Sequence, residues 1–271
     1  LERKLEKNPD EYSGIVIVDM AGYPVDGEKL RAIADKYGLW IVEDACHAPG
    51  ASFQNSNNEK VMSGSGRYSD ITVFSFHPVK HIACGEGGMI TTDNEDLFDK
   101  LYQYRTHGIT KDKKKMRRDD KSSWYHEMQE LGYNYRLSDI QSALGNSQLS
   151  KLPISLKKRN EVAKFYDREL EELPIVLPKR DEGIEHAFHL YVIRTKKRDE
   201  LYEFLKERGI YSQVHYIPVY RHPYYEDLGF KPDNFPNTEK YYEECLSLPM
   251  YPTITEQELE YVVSQIKSFF D

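Results

Sequence analysis

At 271 residues the chain is too long for one small module and reads as one large or two modest domains. A net charge of −8 provides no basic field for nucleic acid, and the sequence has neither a long apolar run for a helical membrane span nor a signal-peptide pattern. Cys46, Cys84 and Cys245 are odd in number and lack a framework spacing, so they read as reduced thiols of a cytoplasmic protein.

The first clear element is the β-branched run Ile15-Val-Ile-Val-Asp19. The chain opens on Leu1 and reaches this strand almost at once, so an N-terminal portion is expected to precede it. A helix follows over Asp26–Tyr37, with Leu30, Ile33 and Ala34 at helical spacing and Gly38 as its stop. Leu39–Glu43 is the second strand, Ile71–Phe76 the third, and Met89-Ile-Thr-Thr92 a fourth after a glycine-rich turn. Near-continuous apolar strands separated by a helix predict a mostly parallel sheet covered on both faces, with its ligand site at the carboxyl ends of the strands. The charge run Lys111–Lys121 reads as a solvated loop. Beyond Leu152 a charged amphipathic helix (154–173) leads into a strand over Ala187–Thr195. A helix over Asp199–Arg208 with Gly209 behind it comes next, and a last helix opens on the capping-box pattern Thr255-Glu-Gln-Glu258. This change of character places a boundary near residue 150, between a larger domain (1–150) and a smaller C-terminal α/β domain (151–271).

Two residues carry the chemistry. Lys80 follows a strand in which Phe74 and Phe76 face one side while Ser75 and His77 face the other, leading to the lysine. Asp44 ends the preceding strand, 36 residues upstream. A lysine and an acid delivered to one sheet edge are what pyridoxal 5′-phosphate (PLP) chemistry needs: an amine for a Schiff base, and a carboxylate to keep the pyridine nitrogen protonated. Taken alone, Asp44 also reads as a turn cap, with His47 packed beneath it. His77, His81 and Cys84 match no zinc spacing. Gly85-Glu-Gly-Gly88 lacks the ending of a nucleotide-triphosphate loop and reads as a chain reversal.

Four motifs in order, Glu43-Asp-Ala-Cys-His-Ala48, Phe74-Ser-Phe-His-Pro-Val-Lys80, Gly85-Glu-Gly-Gly88 and Leu131-Gly-Tyr-Asn-Tyr-Arg-Leu-Ser-Asp-Ile-Gln141, resemble the DegT/StrS-type sugar aminotransferases. The resemblance implies an α/β, PLP-dependent transferase (aspartate aminotransferase, type I) fold, with the large domain incomplete at its N-terminus. His77-Pro-Val-Lys80, Gln213-Val-His-Tyr-Ile-Pro-Val-Tyr220 and His222-Pro-Tyr-Tyr225 resemble one branch of it, the pseudaminic-acid-pathway aminotransferases. Members of that branch aminate a UDP-linked 4-keto-6-deoxy-N-acetylhexosamine, with L-glutamate as the usual donor.

Carried over by position, the resemblance implies that Lys80 forms the Schiff base and moves the proton. Asp44 pairs with the pyridinium nitrogen, His47 lies against the ring or its phenolic oxygen, and Ser75 bonds the cofactor phosphate. Asn134 reaches the cofactor of a neighbouring subunit, which makes a homodimer with shared active sites the expected assembly. Arg136 and His215 contact donor carboxylate or sugar nucleotide. Neither the Gly-Thr-rich phosphate loop of the family nor its ring-stacking aromatic stands ahead of Ile15. Two other readings stand beside this one. A related dehydratase branch carries a histidine at the position that Lys80 fills, and a truncated homologue would survive as a non-catalytic dimerisation partner or fold relic.

Overall fold

The computed structural model describes all 271 residues, in two compact units: Leu1–Asp19 with Pro24–Leu152, and Met20–Tyr23 with Pro153–Asp271. The short segment after the first strand thus belongs with the C-terminal residues. No helix is long and apolar enough to cross a membrane.

In the first unit, a short helix α1 (Glu2–Lys7) precedes the strand β1 (Gly14–Val18). Helix α2 (Gly27–Tyr37) starts where the Asp26 carboxylate accepts the Lys29 amide, and stops at Gly38, whose left-handed backbone (φ 65°) a residue with a Cβ adopts only at a cost. Strand β2 (Trp40–Asp44) follows. A hairpin of β3 (Ser52–Gln54) and β4 (Lys60–Met62) separates it from β5 (Ile71–Ser75) and β6 (Gly88–Thr91). The sheet order is β1-β2-β5-β6, with β1, β2 and β5 parallel and β6 antiparallel to β5.

Alternation along the strands divides the sheet into two faces. Ile17 and Ile41 point to one face, where they are buried with Leu5 of α1 and Ala34 of α2. The opposite face differs from expectation, because the described chain does not cover it: Val16 is 62% exposed, Trp40 48% and Val18 45%. Both helices that precede β2 supply apolar side chains to the same side.

The rest of this unit comprises α3 (Glu95–Arg105), the two-residue strands β7 (Ile109–Thr110) and β8 (Glu127–Met128), and α4 (Asp139–Leu149). The charge run lies between β7 and β8 and is more ordered than a solvated loop. Buried Glu127 accepts the amides of Arg117 (2.7 Å) and Arg118 (2.8 Å) and the Gln129 side chain (3.0 Å), which draws its pKa down to about 2.

The second unit packs α5 (Leu152–Leu170), α6 (Arg198–Glu207) and α9 (Glu256–Phe270) around an apolar core that includes Tyr166, Leu170, Tyr191, Ile193, Leu205, Leu246 and Ile266. Its other elements are β9 (Ile184–Glu185), β10 (Tyr191–Arg194), α7 (Pro223–Asp227), α8 (Pro236–Glu244) and β11 (Cys245–Leu248), with β10 and β11 antiparallel. The strand expected over Ala187–Thr195 is shorter, because Arg159 takes the carbonyls before it: its Nη1 donates to Phe188 O (2.9 Å), His189 O (3.3 Å) and Met250 O (3.0 Å). Burial lowers the proton affinity of that guanidinium to about 10. The capping box forms as read, with Thr255 and Glu258 each accepting the other's amide.

Leu205, fully buried in this core, reports on its packing. Leu205→Ala is expected to cost about 2–5 kcal/mol in urea unfolding of the chain; a loss below about 0.5 kcal/mol would mean that the helix does not pack as described.

Candidate active site

The register of the parallel strands builds the site. Val18 pairs with Asp44, and Asp44 with Val73, so these three share one face at the carboxyl edge. Ser75 lies two residues beyond Val73 and returns to the same face. The backbone ladder continues past the strand ends, with Asp19 N donating to Asp44 O (3.1 Å) and Ala45 N to Val73 O (3.0 Å). Asp44 is therefore the last residue of its strand, held through the carbonyls on both sides.

The loop carrying Lys80 grows out of the β5–β6 hairpin. Phe76 N donates to Gly87 O (2.8 Å) and Cys84 N to Phe76 O (3.0 Å), which closes the loop at its base, and Lys80 N donates to His77 O (2.9 Å) in a turn at its tip. Gly85 and Gly87 adopt φ of 90° and 155°, so the Gly85–Gly88 run is a chain reversal, as read. Gln141 ties this loop to α4: its Nε2 donates to Glu86 O (2.8 Å), while its Oε1 serves the Ser138 capping box.

Lys80 is half-buried and forms no ion pair in the chain. Burial lowers its proton affinity, against an opposing pull from the Asp44 carboxylate. Asp44 accepts the Cys46 amide on Oδ1 (3.0 Å), and the Cys46 thiol also lies against its carboxylate. Cys46 is a neighbour that the sequence reading left unassigned. Its thiol donates to Val73 O (3.7 Å), and burial together with Asp44 raises its pKa to about 12, so it stays protonated. An amine with reduced proton affinity and a carboxylate, on one sheet edge, suit an electrophilic cofactor with a basic ring nitrogen.

The other candidates are placed as follows. Ser75 is half-buried and its Oγ accepts the His77 amide (3.3 Å). His47 is buried in a turn closed by Ala48 N on Ala45 O (2.9 Å). Asn134 and Arg136 lie on an exposed extended segment that bridges to Thr106, and their side chains bond nothing else in the chain. His215 belongs to the second unit, where its Nδ1 lies 2.8 Å from Ser247 Oγ. His81 is buried, and the chain contains no His, Cys, Asp and Glu group that could hold a metal ion. A cavity of about 450 Å³, lined by Tyr23, Leu177, His186, Arg194 and others, lies wholly in the second unit and includes none of these residues.

Glu43, next to Asp44, was also not singled out. It points to the opposite face and accepts Gly64 N (2.7 Å) on one oxygen, and Ser69 Oγ (3.1 Å) and Thr72 Oγ1 (3.3 Å) on the other. Gly64 must be glycine there: its φ is 76°, and a Cβ would meet the Phe74 ring at 2.1 Å.

Comparison with known proteins decides the family. The sequence model of the DegT/DnrJ/EryC1/StrS aminotransferase family matches residues 1–267. The chain belongs to this family. PLP is the cofactor of its aminotransferases, and the Lys80–Asp44 edge suits that group. The chain is 37% identical over its whole length to a UDP-4-amino-4,6-dideoxy-N-acetyl-beta-L-altrosamine transaminase of Campylobacter jejuni, covering 69% of that protein. Helicobacter pylori PseC, an aminotransferase of pseudaminic acid biosynthesis, superposes with a TM-score of 0.87 at 32% identity over 100% of this chain and 70% of its own. The PLP-form of the sugar aminotransferase Spr1654 from Streptococcus pneumoniae superposes at 0.80, with 26% identity over 94% of this chain and 68% of its own. The chain spans about two thirds of the length of the curated relatives that it matches, 65% to 69%.

The electrostatics predict an order of reactivity. Only a neutral amine is acylated, so Lys80, with its proton affinity lowered, is expected to react at lower pH than Lys29 and Lys115, which Asp26 and Asp99 hold protonated. Competitive acetylation read by peptide mass mapping checks this; simultaneous labelling of the three would contradict the environment assigned to Lys80.

Proposed function

We propose that the protein carries out PLP-dependent transamination of a nucleotide-linked 4-keto-6-deoxy sugar, a UDP-linked N-acetylhexosamine, with L-glutamate as the amino donor. The observation that carries this reading is the shared sheet edge of Lys80, an amine whose proton affinity burial lowers, and the Asp44 carboxylate. The substrate class rests on the Campylobacter transaminase and on PseC, whose names describe UDP-sugar amination and pseudaminic acid biosynthesis.

When bound, PLP supplies an aldehyde for amine exchange and a cationic ring that withdraws electrons from the adjoining carbon. The residues divide the remaining work. Lys80 Nζ would hold the cofactor and serve as the base and acid at the reacting carbon, and burial lowers its proton affinity. Asp44 keeps its position because Cys46 N and the neighbouring strands fix its backbone and one oxygen, and its carboxylate would pair with the ring nitrogen. Ser75 Oγ, on the same face, would bond the phosphate, and His47 would lie against the ring.

Asn134 and Arg136 stand on a segment where Leu131 is 82% exposed, Tyr135 71% and Ile140 83%. An apolar surface of that kind supports a homodimer in which Asn134 reaches the neighbouring site. By the same family resemblance, Arg136 and His215 contact donor carboxylate or sugar nucleotide. Three free cysteines support a cytoplasmic location.

Spectrophotometric titration with PLP, followed by assay of glutamate-dependent amination of the UDP-linked keto sugar, tests the reading. Lys80→Ala is expected to abolish the covalent complex and turnover. Asp44→Asn is expected to weaken PLP binding about tenfold or more, the scale of one charge-assisted hydrogen bond. Full turnover in either variant would overturn the assignment.

A further inference from the structure

On the covered face of the sheet, behind Asp44, lies a second pair of acids. Asp19 follows β1 directly and is fully buried, and its carboxyl faces Glu43 of β2 and the hydroxyl of Ser63.

A count of donors locates a proton. Both Glu43 oxygens accept, from Gly64 N on one and from Ser69 Oγ and Thr72 Oγ1 on the other, which calls for a carboxylate. Asp19 Oδ1 accepts Val25 N (2.9 Å), but Oδ2 is buried and makes no well-formed hydrogen bond, with only the Ser63 hydroxyl facing the carboxyl. A buried carboxylate so poorly served, beside a second carboxylate, is unfavourable on both counts; a carboxylic acid in its place can donate.

We infer that Asp19 and Glu43 share one proton, carried on Asp19, and that this pair is the positioning element that fixes the strand ends presenting Asp44. Asp19 is joined to Asp44 directly, since its amide donates to the Asp44 carbonyl (3.1 Å). Through Glu43 the pair also holds the 63–72 segment, including Gly64 beneath Phe74, against the strands that end in Asp44 and Ser75. The importance of Asp44 rests on the function proposed above; the shared proton does not.

Burial raises the Asp19 pKa to about 7. The folded chain then keeps a proton that the unfolded chain gives up near pH 4, so this contribution to stability is complete below about pH 4 and lost by about pH 7. Asp19→Asn replaces the acid with an amide that donates at every pH, whereas Asp19→Ala removes donor and acceptor together.

Two ligand-free measurements on the full chain test this. In thermal melts, the Asp19→Asn chain should gain on the wild type as pH rises from about 5 to 8.5, the Tm gap widening by roughly 5 °C or more, while Asp19→Ala is less stable than Asp19→Asn throughout. In amide hydrogen exchange, protection of Asp19 and Cys46, whose N–H groups hold the Asp44 carbonyl and carboxylate, should fall through about pH 7 in wild type and not in Asp19→Asn. Parallel melting and protection curves for the two chains would overturn the proposal. Neither measurement uses PLP or substrate, so failure of the proposed activity leaves the outcome here unaffected.

Discussion

Parallel pairing of β1, β2 and β5 is the constraint from which the rest of the first unit follows. In a parallel sheet the strand ends fall on one edge, and register decides which side chains share a face there. Here register sets Asp44 beside Val18 and Val73, with Ser75 one period further on. A slip of one residue would turn Asp44 into the covered face and bring Glu43 to the open one. The two neighbouring acids are thus given opposite environments by alternation alone.

Those environments explain their different chemistry. Asp44 lies on the face it shares with Ser75, next to a lysine whose proton affinity burial lowers. Glu43 and Asp19 are spent on structure, gathering the donors of the 63–72 segment around them. The loop bearing Lys80 is anchored similarly, at its base by the hairpin ladder and from the side by Gln141 of α4. Function at this edge depends on backbone positions fixed by hydrogen bonds made elsewhere.

Much of this was legible in the sequence because the signals are local. Asp26 and Gly38 mark the ends of α2, Thr255 and Glu258 open α9, and β-branched runs ending in Asp44 and Ser75 mark the strands. What escaped depends on contacts between distant residues. Arg159 shortens the Ala187–Thr195 strand from 29 to 30 positions away. The Glu127 clasp on the charge run, and the role of Glu43, arise from backbone amides that carry no sequence signal. Ser138-x-x-Gln141 is the exception: its capping-box pattern was present to be read, although the bond from Gln141 to Glu86 O was not. The open sheet face was not legible either, since Val16, Val18 and Trp40 read as interior.

The central claim is that Lys80 and Asp44 form one cofactor-holding pair on this edge. Borohydride reduction of the chain mixed with PLP, followed by peptide mass mapping, tests it most directly. A pyridoxyl adduct confined to Lys80, and diminished when Asp44 is replaced by Asn, is the expected result. Labelling scattered over surface lysines, or equal labelling of Lys80 with and without the Asp44 carboxylate, would contradict it.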